Sequence, residues 1–256
     1  GASPVLADGK VLMVCDQDID AHVLAVHADS GKIAWRADRP DMVHSFSTPT
    51  VYRPAGAPAQ LIVPGSYQLI AYAIDDGREL WRAWSTGPDT DVRIEQGETL
   101  PFYAKEDPIA RPNQGVTTWP PAFVGTVPNR TDPNRTGLPP WKLGGGTVWA
   151  WLTYDPELDL LFHGTAKGGV WNAEMGGEEK KWGSSMFAGN PDSGLAQYMY
   201  QMTPHDSWDY DGVNENIVAD VGGQKLVVRF DRNGFAYPHD RTLGPQGRGR
   251  IVNAQP

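Results

Sequence analysis

Two stretches in the first third of the chain share one pattern of hydrophobic and polar positions. Residues 25–37 and 71–83 each run from apolar or alternating residues into an Asp/Gly pair, and then into a short run that ends on Trp. Another apolar run precedes each stretch, at 11–14 and 60–63. Short apolar or alternating runs that are bounded by turn residues are typical of β-strands, and an Asp/Gly pair is typical of a tight hairpin turn. The pattern therefore predicts antiparallel strands joined by short turns.

The two stretches are copies of one repeat. They share the pattern A-x-x-x-D-x-G-x-x-x-W-R-A, which places Trp35 and Trp81 46 residues apart. Looser copies follow at 192–198 and 240–244, where the Trp is replaced or missing. A four-stranded unit that recurs every 40 to 50 residues or so is typical of a propeller blade. We predict an all-β fold, a β-propeller of four-stranded antiparallel blades with the two tryptophans buried at equivalent positions.

The repeat pattern stops in the middle of the chain. Between about residues 86 and 140 the sequence is rich in Pro, Gly and Asn, and structureless segments of this length are uncommon inside compact domains. We therefore predict three parts: propeller repeats over 1–85, an insertion or joint over 86–140, and a second propeller segment over 141–256.

Composition excludes several classes of protein. The chain has a formal net charge of −9 and no run of Lys or Arg, so no nucleic-acid or anionic-lipid partner is expected. No stretch approaches the 18 or so consecutive apolar residues of a membrane span. Cys15 is the single cysteine, which excludes an intramolecular disulfide and a Cys-rich zinc site. Stability must therefore come from packing.

Two segments carry candidate chemistry. Three glycines at 144–146 precede Trp149 and Trp151, and such a run either lets a flat ligand approach the backbone or forms a bulge or tight corner. Asp209 and Asp211 are two positions apart and are flanked by aromatic residues. Two carboxylates at this spacing can share a cation, or one can act as a base and the other as a metal ligand. Alternatively, the two acids belong to an Asp-rich loop in which they form Asx turns.

The chain from about residue 81 onward resembles a known family, the pyrroloquinoline quinone (PQQ)-dependent alcohol dehydrogenases, and within it the methanol dehydrogenases. The resemblance covers roughly residues 81–244 and is carried by collinear motifs at 81–89, 141–149, 154–158, 203–214 and 231–234. The first 80 residues resemble a more general PQQ-like propeller repeat, similar to outer-membrane assembly scaffolds. Because enzymes of this family have eight blades, the resemblance implies a propeller that is incomplete or shortened here.

The resemblance implies a role for five residues. Trp149 matches the tryptophan that stacks on the quinone, Thr147 a polar contact to it, and Arg232 the arginine that hydrogen-bonds its oxygens. Asp209 matches the catalytic base, and Asp211 the extra carboxylate of the lanthanide-dependent branch, so that both would be metal ligands. The implied reaction is oxidation of a primary alcohol to an aldehyde, by hydride transfer to a quinone whose carbonyl a lanthanide or calcium ion polarises. Trp149, Asp209, Asp211 and Arg232 should then converge on one cleft near the propeller axis.

The chain also departs from the family pattern. Lys167 stands where the family has a metal-ligating asparagine, the loop at 65–69 lacks the family's glutamate ligand, and the adjacent-cysteine disulfide is missing. A protonated lysine cannot ligate a metal, so metal binding is expected to be weak or absent.

Two hypotheses about function follow from these matches and departures. One is a PQQ-dependent alcohol dehydrogenase, which by the resemblance would be periplasmic and would pass electrons to a cytochrome. The other is a noncatalytic PQQ-like propeller that acts as a binding or assembly scaffold. In either case a second chain could complete the propeller.

Overall fold

A computed structural model describes residues 2–66, 68–85, 145–149, 151–169, 182–203, 206–243 and 251–252 of the chain. Within these ranges the regular secondary structure is all β-strand, arranged in four antiparallel sheets. Among the same residues, no helix has the length and apolarity needed to cross a membrane. The predicted insertion at 86–140 lies outside the described residues. The prediction of an all-β fold of four-stranded antiparallel sheets is confirmed.

Each sheet is a meander in which every strand pairs with the next one along the chain. The first sheet consists of β1 Val5–Ala7, β2 Lys10–Cys15, β3 His22–His27 and β4 Ile33–Asp38. The second consists of β5 Thr50–Tyr52, β6 Gln60–Pro64, β7 Gln68–Ala73 and β8 Glu79–Trp84. The third consists of β9 Thr153–Asp155, β10 Leu160–Gly164, β11 Ser185–Gly189 and β12 Ala196–Gln201. The fourth has three described strands, β13 Asn216–Val221, β14 Gln224–Phe230 and β15 Ala236–Asp240.

The hydrophobic core lies between neighbouring sheets. One cluster joins side chains of the first and second sheets, including Leu12 and Ile70. A second cluster joins the second and third sheets, and a third joins the third and fourth, where Phe162 meets Val227. The first strands of neighbouring sheets also touch, β1 against β5 and β9 against β13. Sheets that stack face to face with their first strands together form the radial arrangement of propeller blades.

Trp35 and Trp81 lie in equivalent environments, as the repeat predicts. Both are almost fully buried, with 8% and 7% of their surfaces exposed. The indole Nε1 of Trp35 donates a hydrogen bond to the carbonyl oxygen of Ile74 at 2.9 Å, and that of Trp81 donates to the carbonyl oxygen of Pro191 at 3.0 Å. Each tryptophan therefore ties its own sheet to the turn between the last two strands of the next sheet.

The turn glycines complete this contact between sheets. Gly77 and Gly194 have φ angles of 76° and 70°, and each lies three residues after the carbonyl that accepts the indole hydrogen bond. A Cβ atom on Gly77 would lie 2.5 Å from the ring of Trp35, and one on Gly194 would lie 2.4 Å from the ring of Trp81. Only a residue without a side chain fits beneath each ring.

A third, degenerate copy of the contact joins the third sheet to the fourth. Tyr198 occupies the tryptophan position of its repeat, and its hydroxyl group donates to the carbonyl oxygen of Arg241 at 3.4 Å. Arg241 is three residues before Gly244 in the sequence, the same offset as in the other two turns. The loss of Trp from this repeat therefore leaves the contact between sheets in place.

The contact predicts that alanine has different effects at equivalent turn glycines. Gly31 holds the turn position of the first sheet with a φ of 66°, and a Cβ there would meet no atom within 4 Å. Gly31→Ala should lower the free energy of unfolding by about 1 kcal/mol through left-handed backbone strain. Gly77→Ala should cost about 1 to 3 kcal/mol more, because its methyl group overpacks Trp35. Urea denaturation of both variants measures the difference, and equal losses would contradict the contact.

Candidate active site

A glycine-rich segment at 145–149 lies between the second and third sheets and is hydrogen-bonded on both sides. Toward the second sheet, the N–H of Val148 donates to the carbonyl of Gly65 at 3.2 Å. Toward the third sheet, the N–H of Gly146 donates to the carbonyl of Lys167 at 2.8 Å, and the N–H of Ala166 donates to the carbonyl of Thr147 at 2.9 Å. The segment therefore holds Thr147 directly beside the chain that carries Lys167.

Glycine is required in this segment because of close backbone packing. Gly145 and Gly146 have φ angles of 84° and 69°. A Cβ atom on Gly145 would lie 2.3 Å from the carbonyl oxygen of Lys167 and 2.3 Å from the backbone nitrogen of Gly169. Gly144 lies outside the described residues. Of the two interpretations of the glycine run, the tight corner explains these two glycines.

The loop at 206–212 is organised by one buried carboxylate, that of Asp206. It accepts hydrogen bonds from the backbone N–H groups of Trp208 at 3.0 Å, Tyr210 at 3.2 Å and Asp211 at 3.1 Å. It also accepts one from the hydroxyl of Ser184 at 2.6 Å, which fixes the loop to the residue that precedes β11. Asp206 is 1% exposed, so these four donors replace water around a buried charge. Asp206 therefore determines the shape of the loop.

Hydrogen bonds have a larger effect than burial on the pKa of Asp206. Burial raises the pKa of this carboxyl group. The hydrogen bonds from Ser184 and from three backbone N–H groups together lower the pKa by more than burial raises it, so the net pKa lies below its ordinary value. Sequence analysis did not single out Asp206. The available signal was an Asp two positions before Trp208, the spacing at which an Asp side chain accepts a backbone N–H.

The two acids singled out from the sequence have unusual backbone conformations in this loop. Asp209 and Asp211 have φ angles of 64° and 54°, in the left-handed region that non-glycine residues seldom occupy. Gly212 follows them and forms an antiparallel bridge with Thr165, next to β10. Because Asp206 and this bridge fix the loop on both sides of the two acids, the strained conformations are maintained by their surroundings.

Four charged side chains meet at this loop. The ammonium Nζ of Lys167 lies 4.0 Å from Oδ1 of Asp209. The backbone N–H of Lys167 donates to Oδ1 of Asp211 at 2.8 Å, and Nη2 of Arg232 donates to Oδ2 of Asp211 at 3.1 Å. Nη1 of Arg232 also lies 3.5 Å from the backbone carbonyl oxygen of Asp209. The structure thus brings together Asp209, Asp211 and Arg232, which the resemblance predicts, with Lys167 among them.

The four groups differ in their access to solvent. The side chain of Asp209 is 39% exposed and that of Arg232 is 44% exposed, whereas Lys167 and Asp211 are 14% and 12% exposed. Burial raises the pKa of Asp211, although the backbone N–H of Lys167 acts in the opposite direction. Burial lowers the pKa of Lys167, although the neighbouring carboxylates act to raise it. Asp209 is the carboxylate that a dissolved molecule can reach most easily.

Trp149 lies at the end of the glycine-rich segment, outside the group of four charged side chains. Its side chain is 37% exposed and lines an open groove of about 430 Å³, with Trp151 and Phe46 on the same groove. Two extended residues span about 7 Å, so Trp149 lies within that distance of Thr147, which is bonded to Ala166 next to Lys167. Trp149 therefore offers an aromatic surface on the segment that is bonded to the chain of Lys167, and the residues that line its groove do not include the four charged side chains.

The donor set does not suit a calcium or lanthanide ion. Hard cations of this kind take six or more oxygen ligands. Within the described parts of the chain, no group of three or more His, Cys, Asp or Glu side chains is placed to hold a metal. Asp209 and Asp211, the predicted pair of metal ligands, each lie beside a cationic side chain.

Comparison with known families gives two matches that divide the chain. The family model described as PQQ, glucose/ethanol/alcohol dehydrogenase, beta-propeller domain, matches residues 113–246. The model described as PQQ_2, outer membrane protein assembly factor BamB, matches residues 1–115. The segment at 145–149 and the loop at 206–212 both fall within the dehydrogenase match.

Individual relatives match nearly the whole chain. A lanthanide-dependent methanol dehydrogenase of Methylacidiphilum fumariolicum is 37% identical over 98% of this chain and 38% of its own length. Methanol dehydrogenase [cytochrome c] subunit 1 of Methylobacterium organophilum is 34% identical over 93% of this chain and 36% of its own length. A solved europium-containing methanol dehydrogenase superposes with a TM-score of 0.69 at 34% identity, covering 99% of this chain and 41% of that structure. The chain thus spans well under half the length of these relatives.

The hydrogen bonds of Asp206 predict a pH-dependent loss of stability in Asp206→Asn. The amide would lower the free energy of unfolding by about 1.5 to 3 kcal/mol at neutral pH, because a charged acceptor is lost. The pKa of Asp206 is lower in the folded chain than in the unfolded chain. The stability that its carboxylate contributes is therefore fully present above the unfolded pKa of about 3.9 and is lost as the pH falls from there through the folded pKa. Urea denaturation from pH 7 down to pH 3 measures the difference from wild type. Asp209→Asn is the matched control and should lower the free energy of unfolding only slightly. An equally small loss of stability in Asp206→Asn would contradict the role of Asp206.

Proposed function

The chain belongs to the family of PQQ dehydrogenase β-propellers, and on that premise we propose that its protein oxidises a primary alcohol to an aldehyde with PQQ as cofactor. The observation that carries the proposal is the group formed by Asp209, Asp211, Arg232 and Lys167, with the partly exposed Trp149 on the segment that is hydrogen-bonded to the backbone of Lys167. A solvent-accessible carboxylate, fixed cations and an aromatic surface are the parts that a quinone-dependent alcohol oxidation requires.

The residues present fit PQQ. The ring of Trp149 can stack on a flat aromatic cofactor, and Arg232 and Lys167 can bind its carboxylates and quinone oxygens. Thr147 lies on the segment that is bonded to the chain of Lys167 and would supply a further polar contact. When bound, PQQ would accept the hydride of the alcohol.

Asp209 is assigned as the general base. Its carboxylate is the more exposed of the two and can reach the hydroxyl proton of a bound alcohol. Asp211 is occupied, because it accepts the backbone N–H of Lys167 and is paired with Arg232. Asp211 therefore anchors the backbone of Lys167 and the guanidinium group of Arg232 while Asp209 takes the proton.

Further parts of the proposal rest on the names of relatives. The name methanol dehydrogenase [cytochrome c] supports a cytochrome as the electron acceptor, and we extend the proposal to a periplasmic location. The names lanthanide-dependent and europium-containing describe those proteins. For this chain no step is assigned to a metal ion, since the donor set does not suit one. A second chain that completes the propeller, and the three-part division at 85 and 140, remain predictions.

A second candidate function rests on the first half of the chain. Residues 1–115 match the BamB family model, which favours a noncatalytic propeller that acts as a binding or assembly scaffold. The two functions differ in whether the chain binds PQQ. Titration of the chain with PQQ, followed by quinone absorption, therefore separates them, and a lack of binding would favour the scaffold.

The assignment of Asp209 predicts that Asp209→Asn removes activity but keeps the cofactor. Turnover of a primary alcohol with an artificial electron acceptor should fall by about a hundredfold or more, because the base is lost. The dissociation constant of PQQ should change by less than about threefold, because the stacking surface and the cations remain. Asp29→Asn, a change in an exposed turn of the first sheet, is the control. Full turnover in Asp209→Asn would contradict the assignment.

The stacking role of Trp149 predicts a selective loss of affinity. Trp149→Ala should weaken PQQ binding by about tenfold to a hundredfold, because stacking of a flat ring on an aromatic side chain is worth about 1 to 3 kcal/mol. Trp208→Ala is the control, because Trp208 is the more exposed of the two tryptophans, at 63% against 37%, and stacks on Tyr210. Calorimetric titration gives both constants. Equal weakening in the two variants would place the quinone elsewhere.

A further inference from the structure

Asp209 and Asp211 each already lie beside a cationic side chain, without a metal ion. Asp209 and Asp211 supply two negative charges, and Lys167 and Arg232 supply two positive charges within 4.0 Å and 3.1 Å of them. A metal ion that entered between the two carboxylates would have to displace both cations or sit beside them. Either arrangement is unfavourable, because like charges repel and the carboxylates offer too few oxygens.

Lys167 is held in this position by its surroundings. Its backbone N–H is bonded to Asp211, and its backbone carbonyl accepts the N–H of Gly146. Its side chain is 14% exposed, so the ammonium group cannot move freely into solvent. The carboxylates that act on it, those of Asp209, Asp211 and Asp206, lie on one loop. The ammonium group is therefore a fixed positive charge beside the base.

We propose that the ammonium group of Lys167 takes the place of a metal ion at this site, so that a quinone that carries carboxylates binds without calcium or a lanthanide. The inference rests on the proposed function and specifies how that site holds its cofactor. An ammonium group donates up to three hydrogen bonds, and a guanidinium group beside it donates more. Together, Lys167 and Arg232 match the adjacent carbonyl and carboxylate oxygens of such a quinone.

The test is a calorimetric titration with PQQ, carried out once in EDTA and once with lanthanum chloride and no chelator. The wild-type chain should bind PQQ in EDTA, and lanthanum should change the dissociation constant by less than about threefold. Lys167→Asn should bind about tenfold to a hundredfold more weakly in EDTA, because a charged hydrogen-bond donor is lost. Lanthanum should recover part of that affinity, because the added amide oxygen is a metal ligand.

A second measurement needs no quinone. Terbium luminescence, excited through nearby tryptophans, reports lanthanide binding directly. The wild-type chain should give no saturable signal at micromolar terbium, whereas Lys167→Asn should give one. Lys32→Asn, which removes one positive charge from an exposed turn, is the matched control and should behave as wild type. Near-ultraviolet circular dichroism establishes that each variant is folded, and Lys167→Gln replaces Lys167→Asn if the latter does not fold.

The outcomes separate this inference from the proposed function. Binding of PQQ by the wild-type chain only when lanthanum is present would overturn the role of Lys167 and leave the dehydrogenase proposal standing. Saturable terbium binding by the wild-type chain would also overturn it. Absence of PQQ binding under both conditions would overturn the proposed function, and this inference with it.

Discussion

The contact between one aromatic side chain and the turn of the following sheet is the interaction on which the rest of the structure depends. Trp35 and Trp81 each donate to a carbonyl that lies three residues before a left-handed glycine. The contact of Trp81 with Pro191 joins sheets that are far apart in the sequence. The segment at 145–149 lies at that same junction, bonded to Gly65 on one side and to Lys167 on the other. The junction of the second and third sheets therefore positions the segment that lies beside Lys167, while Asp209, Asp211 and Arg232 come from the third and fourth sheets and the loop between them.

A second constraint acts within the site. The buried carboxylate of Asp206 holds the loop in which Asp209 and Asp211 have left-handed backbones. The loop thus presents two acids on which different restraints act: Asp211 is bonded to the chain of Lys167 and to Arg232, whereas Asp209 remains accessible. The buried anion of Asp206 thus shapes the loop that leaves Asp209 accessible and Asp211 bonded.

The fold was largely predictable from the sequence because its signals are local. Alternating runs, turn glycines and the spacing of Trp35 and Trp81 each depend on a few neighbouring residues, and the structure confirms them. The contacts of the site depend on residues far apart. The hydrogen bond from Lys167 to Asp211 joins positions separated by 44 residues, and that from Ser184 to Asp206 joins positions separated by 22. The sequence therefore singled out Asp209 and Asp211 by their spacing and Arg232 only through the resemblance, and the role of Asp206 required the structure.

In the proposed quinone site, formed where the loop at 206–212 meets Lys167 and Arg232, lysine and arginine supply the positive charge. A crystal structure of the chain grown with PQQ and calcium chloride tests it most directly. The account predicts quinone density against the ring of Trp149, with oxygens in hydrogen-bond contact with Lys167 and Arg232, and no anomalous calcium signal between Asp209 and Asp211. A quinone bound elsewhere, or a calcium ion bound by the two aspartates with Lys167 turned away, would contradict it.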